Sequence, residues 1–135
     1  MDYAISDYKP SDTLTEKHKS DDGDLNIKLV RGEDILKTAK LKNKNMFAVG
    51  FSAETKNIEQ NAKAKLVSKK IDMIIANETN HQKGLGFESD YNQIVIINES
   101  ETTTIPRNSK KELAKIIIHK IVSIYKKNLL KIKNA

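Results

Sequence analysis

The chain has no cysteine, which excludes a disulfide scaffold, a thiol nucleophile and a thiolate metal site. Long apolar runs are also missing, and stretches such as residues 116–118 fall far short of the ~20 residues that span a bilayer. The start, MDYAISDYKP, has neither the basic residues nor the apolar core of a signal peptide. We therefore expect a cytoplasmic protein with no membrane partner.

Aromatic residues and arginine are scarce. There is no Trp, there are 4 Tyr and 3 Phe, and only Arg31 and Arg107 among the 24 Lys and Arg are arginine. Dedicated nucleic-acid readers usually present arginine forks and stacking aromatics. The net charge of +6 therefore favours a solvated, lysine-rich surface without nucleic acid as partner. A basic nucleic-acid-binding domain stays open as an alternative, and it predicts affinity for any polyanion that falls steeply with salt.

The 135 residues match the size of one domain, predicted over 1–135. Period-2 and period-3.6 patterns, with turn residues between them, predict the elements. Strands are predicted at 3–6, 25–29, 46–51, 71–76, 93–97 and 102–105, helices at 33–41, 57–70 and from 109 onward, and loops at 9–24 and 78–91.

This order of elements predicts an α/β fold: a mostly parallel sheet flanked by helices, Rossmann-like and three-layered, with a C-terminal hairpin and a long terminal helix. Ser109 and Glu112 have the spacing of a capping box at the start of that helix. A buried parallel strand needs neighbours, yet the chain opens on one. We expect the neighbour to come from a segment before Met1 or from another chain.

Two lysines lie on an unexpected face of the helix after GFSAET. At ~100° per residue from Ile58, Lys65 and Lys69 fall within ~20° of Ile58, whereas Lys63 and Lys70 fall nearer the solvated side. Cations on an inward or cleft-facing edge are costly unless an anion compensates them. Either their stems cover the core edge with the ammonium groups in water, or they bind polyphosphate at the carboxyl end of the parallel strands.

Five ordered pieces of sequence carry a resemblance to a known family. They are AISDYKP with TEKHK, VGFSAETKN, AKAKLVSKKIDMIIANE, GFESDYNQIVII and SKKELA. In this order and spacing, from Ala4 to about Tyr125, the chain resembles the C-terminal, nucleotide-binding half of phosphopantothenate–cysteine ligase.

The resemblance implies a reaction in coenzyme A biosynthesis. In that family CTP activates the carboxylate of phosphopantothenate as an acyl-cytidylate, pyrophosphate leaves, and the amino group of cysteine then displaces CMP. Fixed cations and Mg²⁺ suit the charge that spreads over the phosphate oxygens. The implied partners are phosphopantothenate, cysteine and CTP, a second copy in a homodimer, and either a separate N-terminal half or a fused decarboxylase.

The resemblance also assigns roles to residues. Lys17 matches a catalytic lysine, on a flexible active-site loop at 9–24, that closes over the reacting centre and binds the nucleotide, and Asp7 matches a strand-end carboxylate for the nucleotide or Mg²⁺. Lys65 and Lys69 match nucleotide-binding lysines. The remaining nucleotide contacts implied are Glu33, Asp34, Ile35, Leu36 and Phe51.

The sequence departs from the family in several places. The loop has Lys17, His18, Lys19 and Ser20 where the family often has K-x-K-K, Tyr3 replaces a small residue, and Glu33 replaces a frequent proline. The family's N-terminal half, with its acceptor-site residues, has no counterpart here, so we expect this chain to be incomplete as an enzyme on its own. A noncatalytic module that dimerises through the alternating strand LNIKLV is a further alternative.

Overall fold

The computed structural model describes residues 6–12, 23–79 and 89–133. These ranges form a small two-stranded sheet, a four-stranded sheet and three helices. In chain order the elements are β1 (Tyr8–Pro10), β2 (Leu29–Arg31), α1 (Ile35–Lys42), β3 (Val49–Glu54), α2 (Ile58–Lys69), β4 (Met73–Glu78), β5 (Tyr91–Asn98), β6 (Thr102–Ser109) and α3 (Lys110–Lys133).

The main sheet has the strand order β3-β4-β5-β6. β3 and β4 are parallel, whereas β5 is antiparallel to β4 and β6 is antiparallel to β5. The α/β class and the C-terminal hairpin are thus confirmed, but the prediction of a mostly parallel sheet is wrong for the described strands. The apolar runs of β4 and β5 report burial on both faces, and burial does not specify strand direction.

Helices cover both faces of this sheet, which confirms the three layers. On one face Ile74, Ala76 and Ile97 pack with Leu36 of α1 and Leu66 of α2. On the other face, strand residues pack against α3. This second cluster contains Met73, Ile75, Ile94 and Ile96 of the strands and Leu113 and Ile124 of α3. α1 and α2 therefore lie on the same face of the sheet.

The two-stranded sheet differs from the sequence prediction. β1 and β2 pair antiparallel, so residues 9 and 10, predicted as loop, are strand. The predicted buried face of strand 25–29 is wrong, because Leu25, Ile27 and Leu29 are 46%, 59% and 56% exposed. Their alternation is the pattern of a strand with one apolar face, and nothing in the described ranges covers that face.

The helix boundaries follow the sequence closely, but their caps differ in detail. α1 begins after Asp34, whose carboxylate accepts the backbone N–H of Lys37 at 3.1 Å, so Glu33 lies before the helix. Asn57 precedes α2 in the left-handed region (φ 49°) and makes no side-chain cap. Ser109 accepts the N–H of Glu112 at 3.2 Å, as the capping-box spacing predicts.

Several predicted features lie outside the described residues. They include Tyr3 and most of the first predicted strand, Lys17 with His18 and Lys19, and most of the loops at 9–24 and 78–91. Within the described ranges, no helix has the length and apolarity required to cross a bilayer.

Candidate functional site

A cleft of about 690 Å³ lies beside β3, on the sheet face covered by α1 and α2. Six of the nine residues predicted for the site line this cleft. They are Asp7, Asp34, Leu36, Phe51, Lys65 and Lys69. Residues that are distant in sequence therefore meet in one cleft along β3, an edge strand of the described four-stranded sheet.

The other three predicted residues do not line the cleft. Glu33 and Ile35 are exposed at the start of α1 and lie outside its walls. Lys17 is outside the described residues, so its role in catalysis stays a prediction.

The orientation predicted for the α2 lysines is confirmed. Lys65 and Lys69 line the cleft with half-buried side chains, whereas Lys63 and Lys70 are exposed and border a different depression. Both cleft lysines are paired within the fold: Lys65 Nζ lies 2.6 Å from Glu54 Oε1, and Lys69 Nζ lies 2.9 Å from Asp34 Oδ2. Carboxylates of the chain thus supply the compensating anions that the sequence pattern required.

The Lys69–Asp34 pair connects α2 to the start of α1 across the cleft. Burial acts to raise the pKa of Asp34, but hydrogen bonds from the Lys69 ammonium and the Lys37 backbone N–H outweigh it and the pKa is lowered. The same carboxylate caps α1 and holds Lys69. Both partners remain more than a quarter exposed, so this pair is open to competition from a ligand.

The Lys65–Glu54 pair has the more buried carboxylate, since the Glu54 side chain is 9% exposed. Burial acts to raise the pKa of Glu54, yet hydrogen bonds from Lys65 and Asn61 outweigh it and lower the pKa. Ser52 lies on the same face of β3 and makes a further, smaller contribution that lowers the pKa of Glu54. Its buried hydroxyl is too far or too poorly aligned for a hydrogen bond to any group in the described ranges. Glu54 is therefore an ionised, nearly buried carboxylate beside the cleft.

Sequence reasoning did not identify two further cations in the cleft wall, Arg31 and Lys37. Arg31 ends β2, and only the pairing of Arg31 with Tyr8 in β1 brings it beside Asp7. With these residues the ionisable lining comprises four cations and two carboxylates, a net charge of +2. A concave, cation-lined surface of this kind attracts anionic ligands.

Phe51 stands between the cleft and an apolar groove on the other face of the sheet. Its side chain is 68% exposed, and it lines both the cleft and the groove of about 430 Å³ between β3 and α3. An exposed aromatic ring offers a flat surface on which a second ring can stack.

Mg²⁺ fits this cleft only as a companion of an anionic ligand. Among the described residues no group of three or more His, Cys, Asp or Glu could hold a metal ion. Mg²⁺ commonly takes one or two protein carboxylates and completes its shell with phosphate oxygens and water. Asp7, exposed at the cleft wall, could supply one such oxygen.

Stability should fall in acid because of Glu54. Its folded pKa lies below the usual 4.5, so its stabilising effect is present above that value and is lost as the pH falls through the folded pKa. Urea unfolding between pH 6 and pH 3 should show a steeper loss of unfolding free energy for the wild type than for Glu54→Gln. Parallel curves would show that Glu54 is not held as an ion pair.

The chain matches the family model "DNA/pantothenate metabolism flavoprotein C-terminal domain" over residues 1–125. It is 34% identical over 127 residues to the coenzyme A biosynthesis bifunctional protein CoaBC of Haemophilus influenzae, covering 93% of this chain and 31% of the relative. It is 39% identical over 118 residues to CoaBC of Borreliella burgdorferi, covering 85% of this chain and 29% of the relative. The chain thus spans about a third of these curated relatives.

A solved structure has the same fold. The crystal structure of the C-terminal domain of the coenzyme A biosynthesis bifunctional protein CoaBC superposes with a TM-score of 0.68 at 29% identity. The alignment covers 93% of this chain and 53% of that domain. Because the family model matches residues 1–125 of the 135, this chain belongs to the DNA/pantothenate metabolism flavoprotein C-terminal domain family.

Proposed function

We propose that this chain is the nucleotide-binding part of a phosphopantothenate–cysteine ligase acting in coenzyme A biosynthesis. The complete ligase would convert CTP to CMP and pyrophosphate while it joins the carboxylate of phosphopantothenate to the amino group of cysteine. The observation that carries the proposal is the cleft in which Lys65, Lys69, Phe51 and Asp7 converge. Membership of the family and the names of its CoaBC relatives support the coarser part of the proposal, a role in coenzyme A biosynthesis.

The cleft residues would bind CTP in two ways, through positive charge and through ring stacking. Lys65 and Lys69 would bind phosphate oxygens with charge-assisted hydrogen bonds, and Arg31 and Lys37 would add positive potential. Phe51 would stack against a planar part of the bound ligand. When bound, Mg²⁺ would neutralise charge on the leaving pyrophosphate, with Asp7 as its protein ligand.

The second step needs protection of the acyl-cytidylate from water. We assign that role to Lys17, whose loop would close over the reacting centre once the substrates are bound. The chain covers 31% of the Haemophilus influenzae relative, and we infer that the acceptor side of the site lies in a part that this chain does not span. We therefore expect near-zero ligase turnover from this chain alone, together with measurable CTP binding.

Isothermal titration calorimetry of the wild-type chain tests this function against nonspecific polyanion binding. Mg–CTP should bind more tightly than inorganic tripolyphosphate or heparin, because the cleft accepts the nucleoside as well as the phosphates. A basic nucleic-acid-binding domain predicts instead no preference for CTP over tripolyphosphate, heparin bound at least as tightly as either, and a steep salt dependence. That result would exclude the proposed function.

The two-stranded sheet of β1 and β2, called here the β1–β2 arm, supports self-association as part of the same proposal. Tyr8 and Leu29 of this arm are 55% and 56% exposed, and an isolated two-stranded sheet is marginally stable in water. A second copy that covered the arm would bury this surface. We expect Leu29→Lys to shift the chain toward monomer in analytical ultracentrifugation, whereas Val67→Lys, at a residue that is 74% exposed on α2, should leave the mass unchanged. A wild-type monomer at high concentration would contradict the dimer.

A further inference from the structure

Glu54 occupies a position that the nucleotide-binding proposal leaves unexplained. It ends β3 with its side chain 9% exposed, and it does not line the cleft, whereas Lys65 does. Its Oε1 lies 2.6 Å from Lys65 Nζ. A carboxylate beside a phosphate-binding cation could either compete with the phosphate for that cation or hold the cation in place.

The contacts of Glu54 favour the holding role. Glu54 Oε2 accepts a hydrogen bond from Asn61 Nδ2 at 3.1 Å, and the same amide donates to the Lys56 carbonyl oxygen at 3.0 Å. Asn61 and Lys65 are one helical turn apart on α2, so they present their side chains to Glu54 from the same face. Both carboxylate oxygens are therefore bound by side chains of α2, and these contacts fix the carboxylate at the end of β3 to that helix.

On this basis, and given the proposed nucleotide function, we propose that Glu54 is a positioning residue that holds the Lys65 ammonium toward the polyphosphate. An ammonium has three N–H donors, and Glu54 uses one of them. The other donors can then bind phosphate oxygens without the loss of conformational entropy that ordering the free Lys65 side chain would cost. The Lys69–Asp34 pair differs, because Asp34 itself lines the cleft.

A double-mutant cycle measures this role. Affinity for Mg–CTP is determined by calorimetry at 0.15 M NaCl for the full wild-type chain, Glu54→Gln, Lys65→Gln and the double variant. We expect Glu54→Gln to weaken binding roughly 3- to 10-fold, the range that ordering one long side chain represents. In the Lys65→Gln background the same change should have no effect, because the residue it positions is gone. A general structural defect would instead weaken both backgrounds equally.

The control is Glu59→Gln, which breaks the exposed Glu59–Lys63 pair of 2.5 Å on the same helix and should not alter affinity. Equal or tighter binding by Glu54→Gln would overturn the proposal, since tighter binding is the signature of a carboxylate that competes with phosphate.

A second measurement does not depend on nucleotide binding or on the folding of Glu54→Gln. The ¹⁵N signal of the Lys65 ammonium, assigned by its loss in Lys65→Gln, should show restricted motion in the nucleotide-free wild type, in contrast to that of Lys70, an exposed lysine at the end of the same helix. Equal mobility of the two ammonium groups would contradict the positioning role. If the wild type bound no CTP, the proposed function would fail while this signal still decided the role of Glu54.

Discussion

Replacement of Lys65 and Lys69 together by glutamine should weaken Mg–CTP binding by roughly 100-fold. Each lysine can make charge-assisted hydrogen bonds to phosphate that contribute about 1.5–3 kcal/mol, and 1.4 kcal/mol corresponds to tenfold in affinity. Glutamine keeps a side-chain N–H donor at the positions that pair with Glu54 and Asp34. Calorimetry on the two proteins gives the ratio of dissociation constants.

The matched control is Lys63→Gln with Lys70→Gln. It removes the same formal charge from the same helix and its C-cap, but from residues that do not line the cleft. We expect a change of less than about threefold, from long-range potential alone. Similar losses in both double variants would mean that the phosphates respond to net charge and not to a site.

Gly50→Val should destabilise the fold by about 2–3 kcal/mol, the cost typical of an overpacked core. Gly50 is buried in β3 at the floor of the cleft, and a Cβ there would lie 2.7 Å from Ile71 Cδ1 and 3.2 Å from Leu36 Cδ2. Ile71 is 6% exposed, so its methyl group has little room to move away. Valine adds two more carbons at the same point. Urea unfolding measures the loss.

Displacement of Leu36 should also narrow the cleft, so the Gly50→Val variant should bind Mg–CTP more weakly even where it remains folded. For stability alone, Ala53→Val is the control on the same strand, because Ala53 is exposed, although it lines the cleft, and its substitution should change stability by no more than about 0.5 kcal/mol. If Gly50→Val were as stable as the wild type, Leu36 and Ile71 would not pack against β3 as described.

The site lysines could be found from sequence because the signal is local. Ile58, Lys65 and Lys69 belong to one helix, and a fixed rotation per residue places them on one face. Their partners could not be found in this way. Glu54 lies on a strand and Asp34 at the start of another helix, so only the packing of α1, α2 and β3 brings these charges together.

The main error in the fold concerned direction. The patterns located β4 and β5 and their burial, but nothing in an apolar run distinguishes the antiparallel pairing of Ile75 with Ile96 from a parallel one. The presence of Arg31 in the cleft could not be predicted for a related reason, since it depends on the register of β1 against β2. Local periodicity thus predicted elements and faces, whereas strand pairing determined which charges share the site.

A crystal structure of this chain with CTP and Mg²⁺ would test the central claim most directly. We expect the triphosphate in the 690 Å³ cleft, with phosphate oxygens about 3 Å from the ammonium groups of Lys65 and Lys69 and with the Lys65–Glu54 contact retained. A nucleotide bound in the groove between β3 and α3, or with its phosphates distant from both lysines, would contradict it.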